Sequence, residues 1–312
     1  MRIIVLAIML LSFQSVAAQV PSIWFAPNHS EFLGDRSKDY LWSSSINKIK
    51  VFKFYYQAIL SRDSSELKKE FDFLHQNNIK IAIEFPALEW EKNGIGYNIE
   101  GFQEPGFTKK VVDKLRTFNG TIDYISIDEP IFFAHYKSGD GHPQMSIQDI
   151  AKNSSLFLKP ILDEYPDLIV GDIEPFMAMP DLSDQQVKEM LGVFVEKFNE
   201  YSGRKISYIH SDVDWKRDWK RYQIPVQEFA EENGLRFGLI FNSSMQGLPS
   251  EGWVSNARNN IISFLGSGFK EPNDVIIQSW NKSPQITVDD RNKFSMSSLI
   301  IDYAESSKAY KK

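Results

Sequence analysis

"IDYISIDEP", residues 122–130, sets Ile125 and Ile127 on one side of an extended chain and Tyr124, Ser126 and Asp128 on the other. A period of two is the mark of a strand, and each side must meet a different environment. The stretch ends on two adjacent carboxylates and then on a proline, which cannot continue a hydrogen-bonded ladder. Asp128 and Glu129 repel each other, and a carboxylate taken out of water without a partner is costly. Whatever surrounds this strand end must offset that cost.

Seven further runs are of the same kind: "SIWFAPN" (22–28), "KIKVFKFYY" (48–56), "IKIAIEFP" (79–86), "LIVGDIEP" (168–175), "KISYIHSD" (205–212), "RFGLIFNS" (236–243) and "DVIIQSW" (274–280). Amphipathic stretches separate them. Residues 64–78 put Leu67, Phe71 and Leu74 on one helical face, and residues 107–118 do so with Val111, Val112, Leu115 and Phe118. Residues 183–203 open on a capping serine and close on a glycine, and 292–306 supply a last helix. Eight strand-then-helix units predict an α/β fold, a single (β/α)8 TIM barrel. An open doubly wound sheet is the competing architecture. It would need a glycine-rich phosphate turn after the first strand, where "APNHSEF" stands instead.

The chain has 312 residues, 42% of them hydrophobic, which suffices for one large core. No linker-like segment or composition break divides it, so residues 19–312 are expected to form one barrel domain. Residues 1–18 read as a signal peptide, with one arginine, an apolar run from Ile3 to Leu11, and Val16-Ala17-Ala18 before Gln19. That run is too short for a bilayer span. The expected location is therefore secreted or periplasmic, with no membrane association after cleavage. A formal net charge of -6 argues against nucleic acid as a partner. The absence of cysteine removes disulfides, thiolate nucleophiles and cysteine metal ligands. A monomer is expected.

Polar residues close most of the strands. The second ends in Tyr55 and the third in Glu84. The fourth ends in Asp128 and Glu129, and the fifth in Asp172 and Glu174. His210 and Asp212 lie on the sixth, with Asp214 just beyond. Asn242 closes the seventh, and Gln278 and Trp280 close the eighth. In a barrel these C-terminal ends share one rim, where active sites are built. The isoleucine faces of strands three and four should meet the helices, so Glu84 and Asp128 should point into the barrel. Asp172 shares a face with Glu174, and His210 with Asp212.

A barrel whose fourth strand ends in an acid followed by proline resembles the (β/α)8 glycoside hydrolases of clan A. There strand four ends Asn-Glu-Pro, the Glu is the acid/base, and the Asn contacts the sugar 2-hydroxyl. The resemblance implies Glu129 as acid/base, Asp128 in the place of the Asn, and Trp280 as a sugar platform. The chain departs from the clan at strand seven, where "LIFNSS" offers Asn242 in place of the nucleophilic Glu. It also resembles barrel hexosaminidases with an adjacent Asp-Glu on strand four. In those the Glu is the general acid and the Asp orients the substrate's own acetamido group, which implies no need for a strand-seven acid.

Both resemblances imply a glycoside hydrolase acting on a polysaccharide or amino-sugar glycan; the signal peptide makes it an exported one, and no cofactor or metal is expected. Catalytic roles fall to Glu129 as proton donor and to Asp128 or Glu174 as its partner. The residues leave Glu174, Asp212 and Glu84 open as the second carboxylate. Glu174 ranks first because "GDIEP" repeats the ending of "SIDEP". Tyr55, Glu84, Asp172 and His210 are expected to bind substrate, together with Asp212, Asn242, Gln278 and Trp280. Two other readings compete: a glycan-binding barrel without catalysis, and a metal-dependent hydrolase centred on His210 and Asp212. Three ligands drawn from one strand do not converge on a metal, which weighs against the latter.

Overall fold

Runs of isoleucine, valine and phenylalanine suit a strand buried on both faces, and the computed structural model forms a strand within each of the eight predicted stretches. It describes residues 20–245 and 247–311, so the expected signal peptide lies outside the described residues. The strands are β1 (Ser22–Ala26), β2 (Ile49–Tyr55), β3 (Lys80–Phe85) and β4 (Tyr124–Asp128), then β5 (Ile169–Glu174), β6 (Ile206–Asp212), β7 (Arg236–Phe241) and β8 (Asp274–Gln278). All pair in parallel with their neighbours in chain order, and β8 returns to β1, closing the barrel. The fold is an α/β TIM barrel.

Helices α1 (Tyr56–Ser61) and α2 (Ser64–Gln76) follow β2, and α3 (Phe107–Arg116) follows β3. Each later strand has one: α4 (Ile147–Glu164), α5 (Asp184–Ser202), α6 (Trp219–Glu232), α7 (Ser250–Gly266) and α8 (Met296–Ser306). The expected Ser183 cap of α5 is a full capping box with Gln186, and Gly203 ends the helix in the left-handed region at φ 68°. The first unit departs from the strand-then-helix rule. Between β1 and β2 the chain makes 3₁₀ turns at Glu31–Gly34, Arg36–Leu41 and Ile46–Lys48. Asp35 accepts from the Ser37 backbone N–H, the kind of local bond that competes with a regular helix. Among the described residues no helix is long and apolar enough to cross a membrane.

One parity of strand residues packs on the helices, and the other fills the lumen with Trp24, Val51, Ala82, Ile173, Tyr208, Ile240 and Ile276. The lower lumen is an aromatic and ionic plug. Asp274 accepts from Trp24 Nε1 at 2.9 Å and from Arg236 Nε at 3.0 Å, with His210 Nε2 3.4 Å away. Burial alone would raise the Asp274 carboxyl, but hydrogen bonds from His210 and Arg236 hold it below its ordinary value. Tyr208 donates to the Ile125 carbonyl at 2.7 Å and lies 2.9 Å from the Ser126 hydroxyl. Two glycines make room for these large β6 side chains. A Cβ at Gly171 would sit 2.1 Å from the Tyr208 ring, and one at Gly238 would sit 2.5 Å from the His210 ring.

Gly171→Ala and Gly238→Ala should therefore each destabilise the fold by about 1–3 kcal/mol through overpacking. Gly192→Ala provides the contrast. It lies inside α5, its Cβ would meet Phe229 at an ordinary 3.8 Å, and it should stabilise by up to about 1 kcal/mol. Urea unfolding of the three variants checks the order.

Candidate active site

The aromatic plug closes the lumen from below, so the strand ends above it enclose a cavity of about 310 Å³. Tyr55 reaches it from β2, Glu84 from β3, Asp128 and Glu129 from the end of β4, Asp212 from β6, Gln278 from β8, and Trp280 from just beyond β8. The connecting segments add Tyr56, Gln57, Glu100 and Phe132. Seven of the residues expected at the site thus line one cavity, although they come from positions 55 to 280.

Its floor holds a cation. Lys53 has the same parity on β2 as Tyr55 and is only 1% exposed. Its ammonium pairs with Glu84, which also accepts from Gln278 Nε2 at 2.9 Å. The Tyr55 hydroxyl and Gln278 Oε1 are buried beside this pair without a partner among the described residues. Burial, then the Glu84 charge, pushes the Tyr55 phenol well up, so it stays a donor.

The acids around the cavity repel one another. Burial pushes Asp128 well above the ordinary carboxylate range, and the charges of Glu84 and Glu100 add to it while Lys53 opposes. Glu129 is raised by burial and then by Asp128, Asp212 and Glu174. Burial and the Glu84 charge push Asp212 up to about 7. Glu100, on the loop before α3, is raised by burial and by Glu84. Glu129 is also unusual in its backbone. Its φ of 49° lies in the left-handed region, where a non-glycine residue stores strain of about 1–3 kcal/mol. Its N–H is fixed by the Ile173 carbonyl at 3.0 Å.

Other expected site residues lie elsewhere. Asn242 donates to Asp212 Oδ1 at 3.2 Å from an adjoining cleft of about 490 Å³, which shares Pro175, Asp212 and Trp280 with the cavity. His210 sits one layer down, fully buried against Trp24 and Asp274. Its expected contact with substrate is corrected: it belongs to the plug. Asp172 and Glu174 are a second correction. Asp172 is in register with Ile127, whose side chain packs on the helices, whereas Ile173 faces the lumen. The two acids therefore point out of the barrel, behind the wall. Glu174 is fully buried and accepts from the backbone N–H groups of Ile131 and Phe132. Asp172 is fully buried with neither oxygen partnered among the described residues.

Among the described residues no three His, Asp or Glu side chains are grouped to hold a metal ion. Sequence reasoning missed Lys53 and Glu100. Parity with Tyr55 was signal enough for Lys53, whereas Glu100 sits on an irregular loop that carries no such pattern.

No family model matches the chain, and no curated protein matches it. Solved structures do. The catalytic domain of a GH26 endo-β-1,4-mannanase from Bacillus sp. JAMB-750 is similar with a TM-score of 0.55 and 9% identity, over 93% of this chain and 86% of that one. The catalytic domain of a hyperthermophilic chitinase from Pyrococcus furiosus gives 0.47 and 11%, over 94% and 98%. A D-psicose 3-epimerase gives 0.44 and 8%, over 92% and 96%. At 9% identity the likeness to the mannanase domain is one of fold alone.

The raised carboxyls fix the sign of a pH dependence. A group raised on folding binds more protons in the folded state, so its contribution to stability is complete below its ordinary value and is lost as pH rises through the raised one. For Asp212 that loss runs from the ordinary carboxylate value up to about pH 7, and Asp128 and Glu129 act in the same direction. The thermal unfolding midpoint should fall between about pH 5 and pH 8. Scanning calorimetry across that range checks it, and a rising midpoint would contradict it.

Proposed function

We propose that the protein is a glycoside hydrolase acting on an oligo- or polysaccharide, with Glu129 as the general acid. One observation carries the reading. Glu129 stands at a barrel mouth, in a strained backbone conformation, with burial and neighbouring anions raising its carboxyl. An acid that keeps its proton at neutral pH is what departure of a sugar alcohol requires.

The relocation of Glu174 leaves Asp212 as the second carboxylate. β4 and β6 are separated by two strand spacings, about 9.6 Å of wall. A wall that wide favours the wide carboxyl separation, roughly 6.5–9.5 Å, at which one carboxyl protonates the leaving oxygen while the other activates a water across the ring, over the close pair of a retaining site. Asn242 donates to Asp212 and orients it for that task. In this reading Asp128 holds the substituent on sugar carbon 2, whether hydroxyl or acetamido. The Tyr55 hydroxyl and Gln278 Oε1 offer one donor and one acceptor to sugar hydroxyls. Trp280, 41% exposed, offers a flat face to a ring. Trp280 and Asp212 border both the cavity and the adjoining cleft, which gives room for more than one sugar unit. The reading includes export, on the strength of residues 1–18.

Glu129→Gln should lower kcat for reducing-end release by about 10²–10⁴-fold while glycan binding by calorimetry persists. A panel of plain and N-acetylated glycans provides the substrates. Wild-type release retained in the variant, or no release by the wild type on any glycan, would sink the proposal. Nuclear magnetic resonance of the first-formed anomer should show inversion, and retention would remove Asp212 from the role of base.

A further inference from the structure

Glu129 directly precedes a helical turn. Pro130 starts that turn and has no N–H, while Ile131 and Phe132 present backbone N–H groups that a first turn leaves without intrahelical partners. The side chain at the start of a helix ordinarily accepts from these donors. Here that side chain is the Glu129 carboxyl, which lines the cavity.

Another residue takes over the cap. Glu174 Oε1 accepts from the Ile131 N–H at 2.6 Å, and Oε2 accepts from the Phe132 N–H at 3.0 Å. Its neighbour Ile173 accepts from the Glu129 N–H at 3.0 Å. Every backbone N–H from 129 to 132 is therefore held by two consecutive residues of β5. Glu174 is fully buried, so solvent does not compete for these bonds. The carbonyl of Glu129 is fixed as well, by the Phe133 N–H at 3.1 Å.

We infer that Glu174 is the positioning residue for Glu129: a buried carboxylate that caps the turn from behind the barrel wall, holds the left-handed backbone at Glu129, and frees the Glu129 carboxyl for the cavity. The inference rests on the reading of Glu129 as proton donor. It also explains the outward face of β5. Glu174 must point away from the lumen to reach its two donors, and the alternation of the strand then takes Asp172 outward with it. Asp172 touches neither donor and serves as the control.

The test follows the Glu129 carboxyl directly, by titration of ¹³C-labelled protein assigned with Glu129→Gln. In Glu174→Gln the amide keeps one acceptor and sets a donor against the other N–H. The Glu129 midpoint should then move toward the ordinary glutamate value, while Asp172→Asn leaves it in place. On a cleaved glycan, kcat of Glu174→Gln should fall roughly tenfold or more with KM little changed, and adding it to Glu129→Gln should cost nothing further. Glu174→Asp, which keeps the carboxylate, should restore part of the loss. Should the variants fail to fold, the wild type still decides, because the Ile131 and Phe132 amides must exchange with solvent far more slowly than loop amides. An unmoved Glu129 midpoint in folded Glu174→Gln, additive losses in the double variant, or fast exchange at both amides would overturn the inference. A moved midpoint in a protein that cleaves no glycan would overturn the hydrolase reading and leave the positioning role standing.

Discussion

A single buried ammonium sets the chemistry of the barrel mouth. Lys53 lies beneath the cavity and pairs with Glu84, while Glu100, Asp128, Glu129 and Asp212 surround the same space without a cation of their own in contact among the described residues. Buried ion pairs contribute little net stability, because desolvation offsets most of the attraction. What this one does is local. It sets the Glu84 carboxyl in the middle of the cluster, and the Glu84 charge, added to burial, raises Asp128, Asp212 and Glu100. Glu129, raised by burial and by Asp128, Asp212 and Glu174, then holds a proton that an exposed glutamate would release.

The barrel is built so that this cluster has a floor and a back wall. The floor is the aromatic and ionic plug around Asp274. It fits because Gly171 and Gly238 withhold side chains where Tyr208 and His210 need space. The back wall is β5, whose Ile173 and Glu174 bind the chain that carries Glu129. Strain at Glu129 persists because the bonds around it leave no relaxed alternative. An unstrained β4 terminus would continue in the extended direction, and its last carboxyl would not be aimed by the following turn.

Much of this was legible in the sequence. Short β-rich runs marked all eight strands, and the isoleucine faces of β3 and β4 placed Glu84 and Asp128 inward, where they line the cavity. The same rule was inconclusive for β5, where "LIVGDIE" sets Ile169 and Ile173 against Val170, Asp172 and Glu174. Apolar residues occur on both faces, so composition does not name the lumen side. The deciding contacts are to Ile131 and Phe132, over 40 positions away in the chain, and no local pattern encodes them. His210 misled for a similar reason. A polar residue on a lumen face is as suited to an ionic plug as to an active site, and only its depth below Asp212 separates the two.

Glu129 either carries its proton at neutral pH or it does not, and the account turns on that fact. Infrared difference spectroscopy between wild type and Glu129→Gln at neutral pH reads it without any substrate. Loss of a protonated-carboxyl C=O stretch is the result predicted here. Loss of carboxylate bands alone would mean that Glu129 is ionised in the resting protein, and the account of a proton donor kept neutral by its neighbours would be contradicted.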